Sequence, residues 1–265
     1  MGNTHNNVAS SRVPLSEGFR EAYTLHLADN VLILGHRNSE WCGHGPVLEQ
    51  DIAITNISLD LIGQARNFYQ YAAQLKDDGS TEDTLAYLRE KHEFKNCFLV
   101  EQPNGDWAKT ILRQFLFSQY QYLLFQQLQN SNEEHLAAIA VKSLKEITYH
   151  LRWSGEWVIR LGDGTEESRK RMLKAIDELW MYTGELFIPA DYEKETGIDF
   201  NKIKSEWQQK VKSVFDEAIL ISPPEADGGA VSMQTGGKEG KHSEHLENIL
   251  KDLQYLQRTY PGCEW

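Results

Sequence analysis

Ser143-Leu-Lys-Glu-Ile-Thr-Tyr-His-Leu-Arg-Trp153 lies near the end of a long helical pattern, and it holds most of a metal-binding helix with one ingredient missing. In carboxylate-bridged di-iron bundles, two helices each carry Glu-x-x-His, because residues at i and i+3 project from one helical face toward one metal. His150 has the right setting, but three positions before it stands Ile147. Glu146 is one residue off, about 100° around the helix, and cannot replace Ile147 without turning the stripe. An apolar side chain occupies a ligand position. A second stretch, Ser58-Leu-Asp-Leu-Ile-Gly-Gln64, repeats the pattern: Leu61 and Gln64 stand at i, i+3, and Asp60 is adjacent but out of phase.

Outward from these stretches the chain reads as helix after helix. Phe19, Tyr23, Leu27 and Val31 recur at helical spacing from Ser16 to about Arg37. A connection follows, Asn38-Ser-Glu-Trp-Cys-Gly-His-Gly-Pro46. The next helix is expected from Pro46 to about Lys76, with Leu48, Ile52, Leu59 and Ile62 on its apolar stripe. Its roughly 30 residues would rise about 45 Å, a length that suits a bundle. Ser80 starts a short helix to Arg89, and a long one is predicted from Asp106 to about Asn130. Ser131-x-x-Glu134 reads as a capping box for a third long helix to Leu161, stopped by Gly162. Further helices are expected from Thr165, over 201–220 (Ile203, Trp207, Val211, Phe215), and from Ser243 to Pro261, with one long Gly/Pro/Ser-rich loop from Ser222 to Gly240. No strand alternation and no fixed-period repeat intrude. The pattern predicts an all-α antiparallel bundle with appended helices: residues 1–15 form a disordered lead-in and 16–265 a single helical domain.

Composition narrows the function. The formal charge is −12, without any Lys/Arg-rich run, so a nucleic-acid groove or an anionic membrane is an improbable partner. A hydrophobic content of 40%, with 7 Trp, 11 Tyr and 10 Phe, is ample for a sizeable core. Cys42, Cys97 and Cys263 fall outside any Cys-x-x-Cys pattern and read as free thiols of a reducing compartment. No signal-peptide pattern and no apolar run of about 18 residues is visible, which places the expectation in the cytoplasm.

Several motifs combine with the two long-helix stretches: Ser39-Glu-Trp-Cys-Gly-His44, Leu59-Asp-Leu-Ile-Gly-Gln-Ala-Arg-Asn-Phe68, Val100-Glu-Gln-Pro-Asn-Gly105, Lys145-Glu-x-x-Tyr-His-Leu-Arg152, Thr235-Gly-Gly-Lys238, Glu244-His-Leu246, Gln254-Tyr-Leu-Gln-Arg258 and Trp265. Together they resemble the non-catalytic ferritin-like C-type components of bacterial phenylacetyl-CoA 1,2-epoxidases, over nearly the whole chain after the first 15 or so residues. The resemblance implies a ferritin-like four-helix bundle with additional helices, in a chain that pairs with a catalytic paralogue. That paralogue holds the di-iron centre, binds the substrate and inserts one oxygen atom of O2 into the aromatic ring. By the same resemblance, the two Glu-x-x-His elements fall on Leu61-x-x-Gln64 and Ile147-x-x-His150, and the other two carboxylates near Val31 and Ser118. Only His150 survives as a ligand type, so no metal and no cofactor are expected in this chain. The di-iron group is expected in the partner, and the reductase and small accessory subunits are met only indirectly.

The remaining candidates have plainer readings. His150 reads as a core histidine making a hydrogen bond, with Glu146 as its expected partner or as part of a polar network near Arg152. Trp41-Cys-Gly-His44 is half a metal motif without a second half, and reads as a shaped turn carrying Trp41 as an anchor for the partner. Gly236-Gly-Lys238 lacks phosphate-loop spacing and reads as a flexible surface loop. Glu93, Phe94, Lys95 and Asn96 form a solvated turn on one reading. On the other, they are the segment that reaches toward the partner's acyl-CoA groove, where Phe94 and Asn96 match the family pattern. The rival function is a self-sufficient di-iron oxygenase or ferroxidase, which Leu61, Gln64 and Ile147 disfavour. A generic helical interaction protein is disfavoured by the breadth of the motif match.

Overall fold

From Tyr23 to Gly35 every residue of the first helix is buried, which makes it the strut that the other elements surround. This is α1, Glu17–Ser39, in the computed structural model, which describes residues 16–223 and 232–263. The lead-in expected over 1–15, the loop segment 224–231 and Trp265 lie outside the described residues. Glu17 in the first turn of α1 and His36 and Arg37 in the last oppose the helix dipole at both ends. Ser16 takes the N-cap position, but its hydroxyl makes no capping bond.

The bundle is completed by α2 (Leu48–Lys76), α5 (Trp107–Leu128) and α6 (Glu134–Gly162), with the short α3 (Glu82–Tyr87) and α4 (Phe98–Glu101) between α2 and α5. α1 pairs with α2 and α5 with α6. The pairs run antiparallel: Asp29 of α1 meets Tyr69 of α2, while Gly35 lies against Leu61 and Ile62. α2 and α6 are likewise antiparallel neighbours, Gln50 meeting Trp153 and Gln64 meeting Glu146. Among the described residues there is no strand, and the chain has the all-α, ferritin-like architecture with extra helices.

Those extra helices are α7 (Glu166–Leu179), α8 (Asp191–Lys194), α9 (Phe200–Glu217), α10 (Glu244–Leu253) and α11 (Tyr255–Thr259). α9 buries Ile203, Trp207, Val211 and Phe215, the stripe its spacing predicts, against α5 and α6. Its Trp207 is fully buried and donates from Nε1 to the Leu116 carbonyl at 2.9 Å. A Cβ on Gly162, where α6 ends beside α9, would lie 2.5 Å from the Ala218 carbonyl oxygen, so only glycine fits that approach.

Local signals are displaced in three places. The capping box expected at Ser131 does not form: α6 starts at Glu134, and Ser131 Oγ instead accepts from the Glu133 amide at 3.1 Å, closing the preceding turn. The short helix expected from Ser80 is capped one residue later, by a box of Thr81 with Thr84. The last expected helix breaks at Gln254 into α10 and α11.

The larger correction concerns α2. Leu48, Ile52 and Leu59, expected to face the core, are exposed; the inward face is Ile54, Ile57, Leu61, Ala65 and Phe68. The helix is apolar on two faces, so periodicity alone could not tell which one the chain itself covers.

Candidate functional site

All six positions aligned with ligands are buried inside the bundle: Val31 on α1, Leu61 and Gln64 on α2, Ser118 on α5, Ile147 and His150 on α6. Helical phase therefore brings them where the motifs place them. None of the six is an anion: the positions hold three aliphatic side chains, a hydroxyl, an amide and an imidazole. The polar members are tied to other protein groups. Gln64 donates from Nε2 to Glu146 Oε2 at 2.9 Å and accepts at Oε1 from Gln121 Nε2 at 3.0 Å. Ser118 Oγ accepts from Gln114 Nε2 at 2.8 Å, and Gln114 Oε1 accepts from Asn38 Nδ2 at 2.6 Å.

The two out-of-phase carboxylates behave differently from expectation. Glu146 does not pair with His150; it crosses to Gln64. Asp60 crosses the other way, its Oδ2 lying 3.0 Å from His150 Nε2. The result is a reciprocal brace between α2 and α6, each helix sending a carboxylate from its flank to the other helix's inward polar residue. The 100° offset that disqualifies Asp60 and Glu146 as ligands aims them along the seam between the helices. With Asp60 accepting, Nε2 of His150 carries the proton and the buried Nδ1 is left without a partner.

A di-iron centre does not fit these residues. Two iron ions require several anionic oxygen ligands, and Val31, Leu61 and Ile147 supply none. Among the described residues no group of three or more His, Cys, Asp or Glu side chains is disposed to hold a metal ion.

Buried charge is concentrated elsewhere, around a segment whose sequence reads as a flexible loop. Glu185 accepts at Oε1 from the Gly236 and Gly237 amides at 2.8 and 2.6 Å and at Oε2 from the Phe98 amide at 2.8 Å. Burial pushes its carboxyl above the usual range. Lys238 is buried, its Nζ 2.9 Å from Glu193 Oε2. Glu101 accepts from Asn96 Nδ2 at 3.0 Å and from the Ser243 amide at 2.8 Å, and His242 Nδ1 lies 2.9 Å from its Oε2. A Cβ on Gly237 would stand 2.5 Å from the Asn96 carbonyl oxygen, so this backbone lies flat on residues 96–98. The Gly-Gly-Lys motif is thus a clamped strap.

The same packing decides the turn at Glu93, Phe94, Lys95 and Asn96. Phe94 and Asn96 are fully buried, Phe94 under the Arg89 guanidinium at 4.2 Å, and neither reaches outward to a partner's groove. Glu93 is exposed and caps the Glu90 amide at 2.6 Å; Lys95 is half-buried, its amide donating to Asp29 at 2.8 Å. Trp41 is half-buried as well. It packs edge-on against Trp107 at 5.1 Å and donates from Nε1 to Thr110 Oγ1 at 2.9 Å, so it anchors its own turn to α5.

Comparison with known proteins places this geometry. The phenylacetic acid catabolic protein family matches residues 18–265. The chain belongs to that family. It is 46% identical over 249 residues to the C component of the 1,2-phenylacetyl-CoA epoxidase of Escherichia coli strain K12, spanning 92% of this chain and 98% of that one. The six positions read from the motifs all lie inside the bundle. Sequence reasoning misses Glu101, Glu185, Glu193 and His242; Glu101 and Glu185 alone carry a signal, a carboxylate inside an apolar run, as in Phe98-Leu-Val-Glu101 and Gly184-Glu-Leu-Phe187. The three cysteines are free, and among the described residues no helix is long and apolar enough to cross a membrane.

Proposed function

We propose that this chain is the non-catalytic structural subunit of a phenylacetyl-CoA 1,2-epoxidase, pairing with and stabilising a di-iron catalytic subunit in the aerobic breakdown of phenylacetate. The observation that carries the reading is the set Leu61, Gln64, Ile147 and His150, buried where Glu-x-x-His pairs would stand, with both neighbouring carboxylates committed to the α2–α6 brace. Apolar groups there cannot offset the charge of iron ions. The E. coli relative, named as one of the subunits of the epoxidase, supports the assignment to the same kind of assembly. The chain itself carries no cofactor; the iron, the oxygen chemistry and the acyl-CoA site belong to the partner, and reductase and small subunits join through that partner.

The experiment is co-expression with the catalytic subunit, purification of the complex and of each chain alone, and metal analysis of all three. Iron is expected in the complex and in the catalytic chain, and only trace metal in this chain after growth in iron-supplemented medium. About two irons per isolated chain would overturn the assignment in favour of a self-sufficient di-iron oxygenase or ferroxidase.

A further inference from the structure

His242 ends the strap, residues 235–243, just before Ser243 caps α10, and both of its ring nitrogens face acceptors. Its side chain is fully buried, as is that of Glu101. Nε2 lies 2.9 Å from the Phe94 carbonyl oxygen, and Nδ1 lies 2.9 Å from Glu101 Oε2. A backbone carbonyl can only accept, so Nε2 carries a proton. A neutral ring would then turn the bare lone pair of Nδ1 toward a carboxylate oxygen inside the fold. The second contact is a hydrogen bond only when one more proton lies in it. Glu101 is poorly suited to hold that proton. Its oxygens already accept from Asn96 Nδ2 at 3.0 Å and from the Ser243 amide at 2.8 Å, which favours the anion. The second proton therefore belongs to the ring.

The groups packed around this pair leave the task to His242. It is the one ion-pair partner of the Glu101 carboxylate among the described residues. Arg37 of α1 donates from Nη2 to the Glu101 backbone oxygen at 2.9 Å and spends Nη1 on Glu40. Lys238, on the strap itself, is committed to Glu193, and Glu185 to the amides of Phe98, Gly236 and Gly237. The Cys97 thiol and the Tyr182 hydroxyl feel the Glu101 charge as neutral groups, each pushed up by burial first. The Phe98 ring packs against the imidazole, with centroids 6.5 Å apart. His26 makes the contrast. It is buried beside Glu193, but its Nε2 stays 3.5 Å from that carboxylate, and burial pulls it toward the neutral form.

We infer that His242 is a proton-dependent latch: with two protons on its ring it ties the strap and the start of α10 to Glu101 and Phe94, and with one it lets them go. Deprotonation sets two lone pairs against each other at the spacing of a hydrogen bond, and the ring escapes by swinging away from Glu101. The Ser243 amide leaves Glu101 Oε1 with it. Ser243 Oγ caps the first turn of α10 by accepting from the His245 amide at 3.2 Å, so the start of that helix loosens too. Released, the strap uncovers Glu185 and the segment 94–98 on which it lies. The sign follows from linkage. The cationic ring belongs to the closed strap, so its stabilisation is complete below about pH 6.5, where an unfolded histidine is protonated as well. It falls as pH rises beyond that.

Two measurements test the latch. Nitrogen-15 resonances of the His242 ring in the full chain at pH 7 should show both nitrogens protonated. A bare Nδ1 there, whether its proton sits on Glu101 or is absent, would overturn the inference. Trypsin supplies the second readout, because Lys238 is buried in the closed strap and is reached only when the strap opens. Cleavage after Lys238 and Lys241, scaled at each pH to the same cuts in a synthetic peptide of residues 235–245, should rise in the parent by up to about tenfold per pH unit between pH 7 and pH 9, the slope of one proton. Glu101→Gln is the control. It places an amide donor opposite Nδ1, so a ring with one proton satisfies the same geometry, and the Asn96 carboxamide, whose Oδ1 has no partner, can turn to meet it. Cleavage of that variant should not change with pH. A pH-independent parent, or a Glu101→Gln chain that keeps the parent's slope, would refute the latch. The ring resonances of the parent decide the matter even where Glu101→Gln fails to fold.

Discussion

Replacing Ile147 with glutamate restores, on paper, the Glu-x-x-His pattern with His150, and the structure predicts that it damages the protein instead. Ile147 and Leu61 are both fully buried. Loss of the buried isoleucine side chain costs about 1.5–3 kcal/mol in transfer free energy alone. The new carboxyl would have no anion-compensating partner, so it would remain protonated, with a pKa raised by up to roughly 3–5 units for full burial. The sign follows from linkage. A carboxyl whose folded pKa lies above its unfolded value stabilises less as pH rises, so the added penalty is small at pH 5 and grows through neutrality. At about 1.4 kcal/mol per unit, Ile147→Glu should lose a further ~3–4 kcal/mol between pH 5 and pH 8. Ile147→Gln, similar in size and neutral, should show a loss that does not change with pH. The buried, unpartnered Nδ1 of His150 lies one turn along α6 and would accept a hydrogen bond from the protonated carboxyl; Ile147→Glu in a His150→Ala background removes that acceptor and should lower stability further at pH 5. Urea titrations followed by tryptophan fluorescence measure all of this, and ferrous iron added to the single variant should not move its midpoint. If Ile147→Glu unfolds at the parent's urea concentration at both pH values, position 147 is hydrated and the helical phase used throughout is wrong.

Two further outcomes follow from the charged interior. Lys238→Met leaves Glu193 buried and uncompensated, which should cost about 3–5 kcal/mol, while Lys238→Met with Glu193→Leu should recover much of that loss; a single variant within 1 kcal/mol of the parent in chemical denaturation would show that the strap is not held by this pair. His36, which lines a surface pocket with Asp252 and Tyr87, is pushed down to about 4 by burial, so its neutral form belongs to the folded state. Its contribution is complete above about pH 6.5 and is lost as pH falls toward 4, by at most about 3 kcal/mol. His36→Gln should flatten that part of the stability profile between pH 7 and pH 4.5, and an unchanged slope in paired urea titrations would refute it.

The long helices are legible because each is amphipathic over many turns, and α9 shows why: Ile203, Trp207, Val211 and Phe215 all face inward as spaced. The inward face shared by Ile147 and His150 is legible too, since helical phase alone fixes which residues share a face. Two things are not. Periodicity finds an apolar face without saying what covers it, so the Leu48–Ile52–Leu59 row reads as core. Spacing also describes one helix at a time, whereas the Asp60–His150 and Glu146–Gln64 contacts join two helices whose registry only the packed bundle sets. The packing of Trp41 is not legible for a related reason: its place on a connection does not show that Trp107 lies within reach of it.

The distribution of buried charge argues for what this bundle is built to do. At the inward faces, where a metal would be held, the carboxylates have been kept to the seam and the centre is aliphatic, which removes the like-charge repulsion that an unmetallated cluster would suffer. On the far side of α1, by contrast, Asp29, Glu101, Glu185 and Glu193 are all buried, satisfied by Arg89, Lys238, His242 and backbone amides. Such groups are costly to desolvate and strongly destabilising when a partner is lost, so they fix the strap at 235–243 and the segment 93–101 in one arrangement. The rigid polar interior therefore lies where loops must be shaped. With both the centre and the strap sealed, Leu48, Ile52 and Leu59 stand out as residues whose chemistry the chain itself does not use.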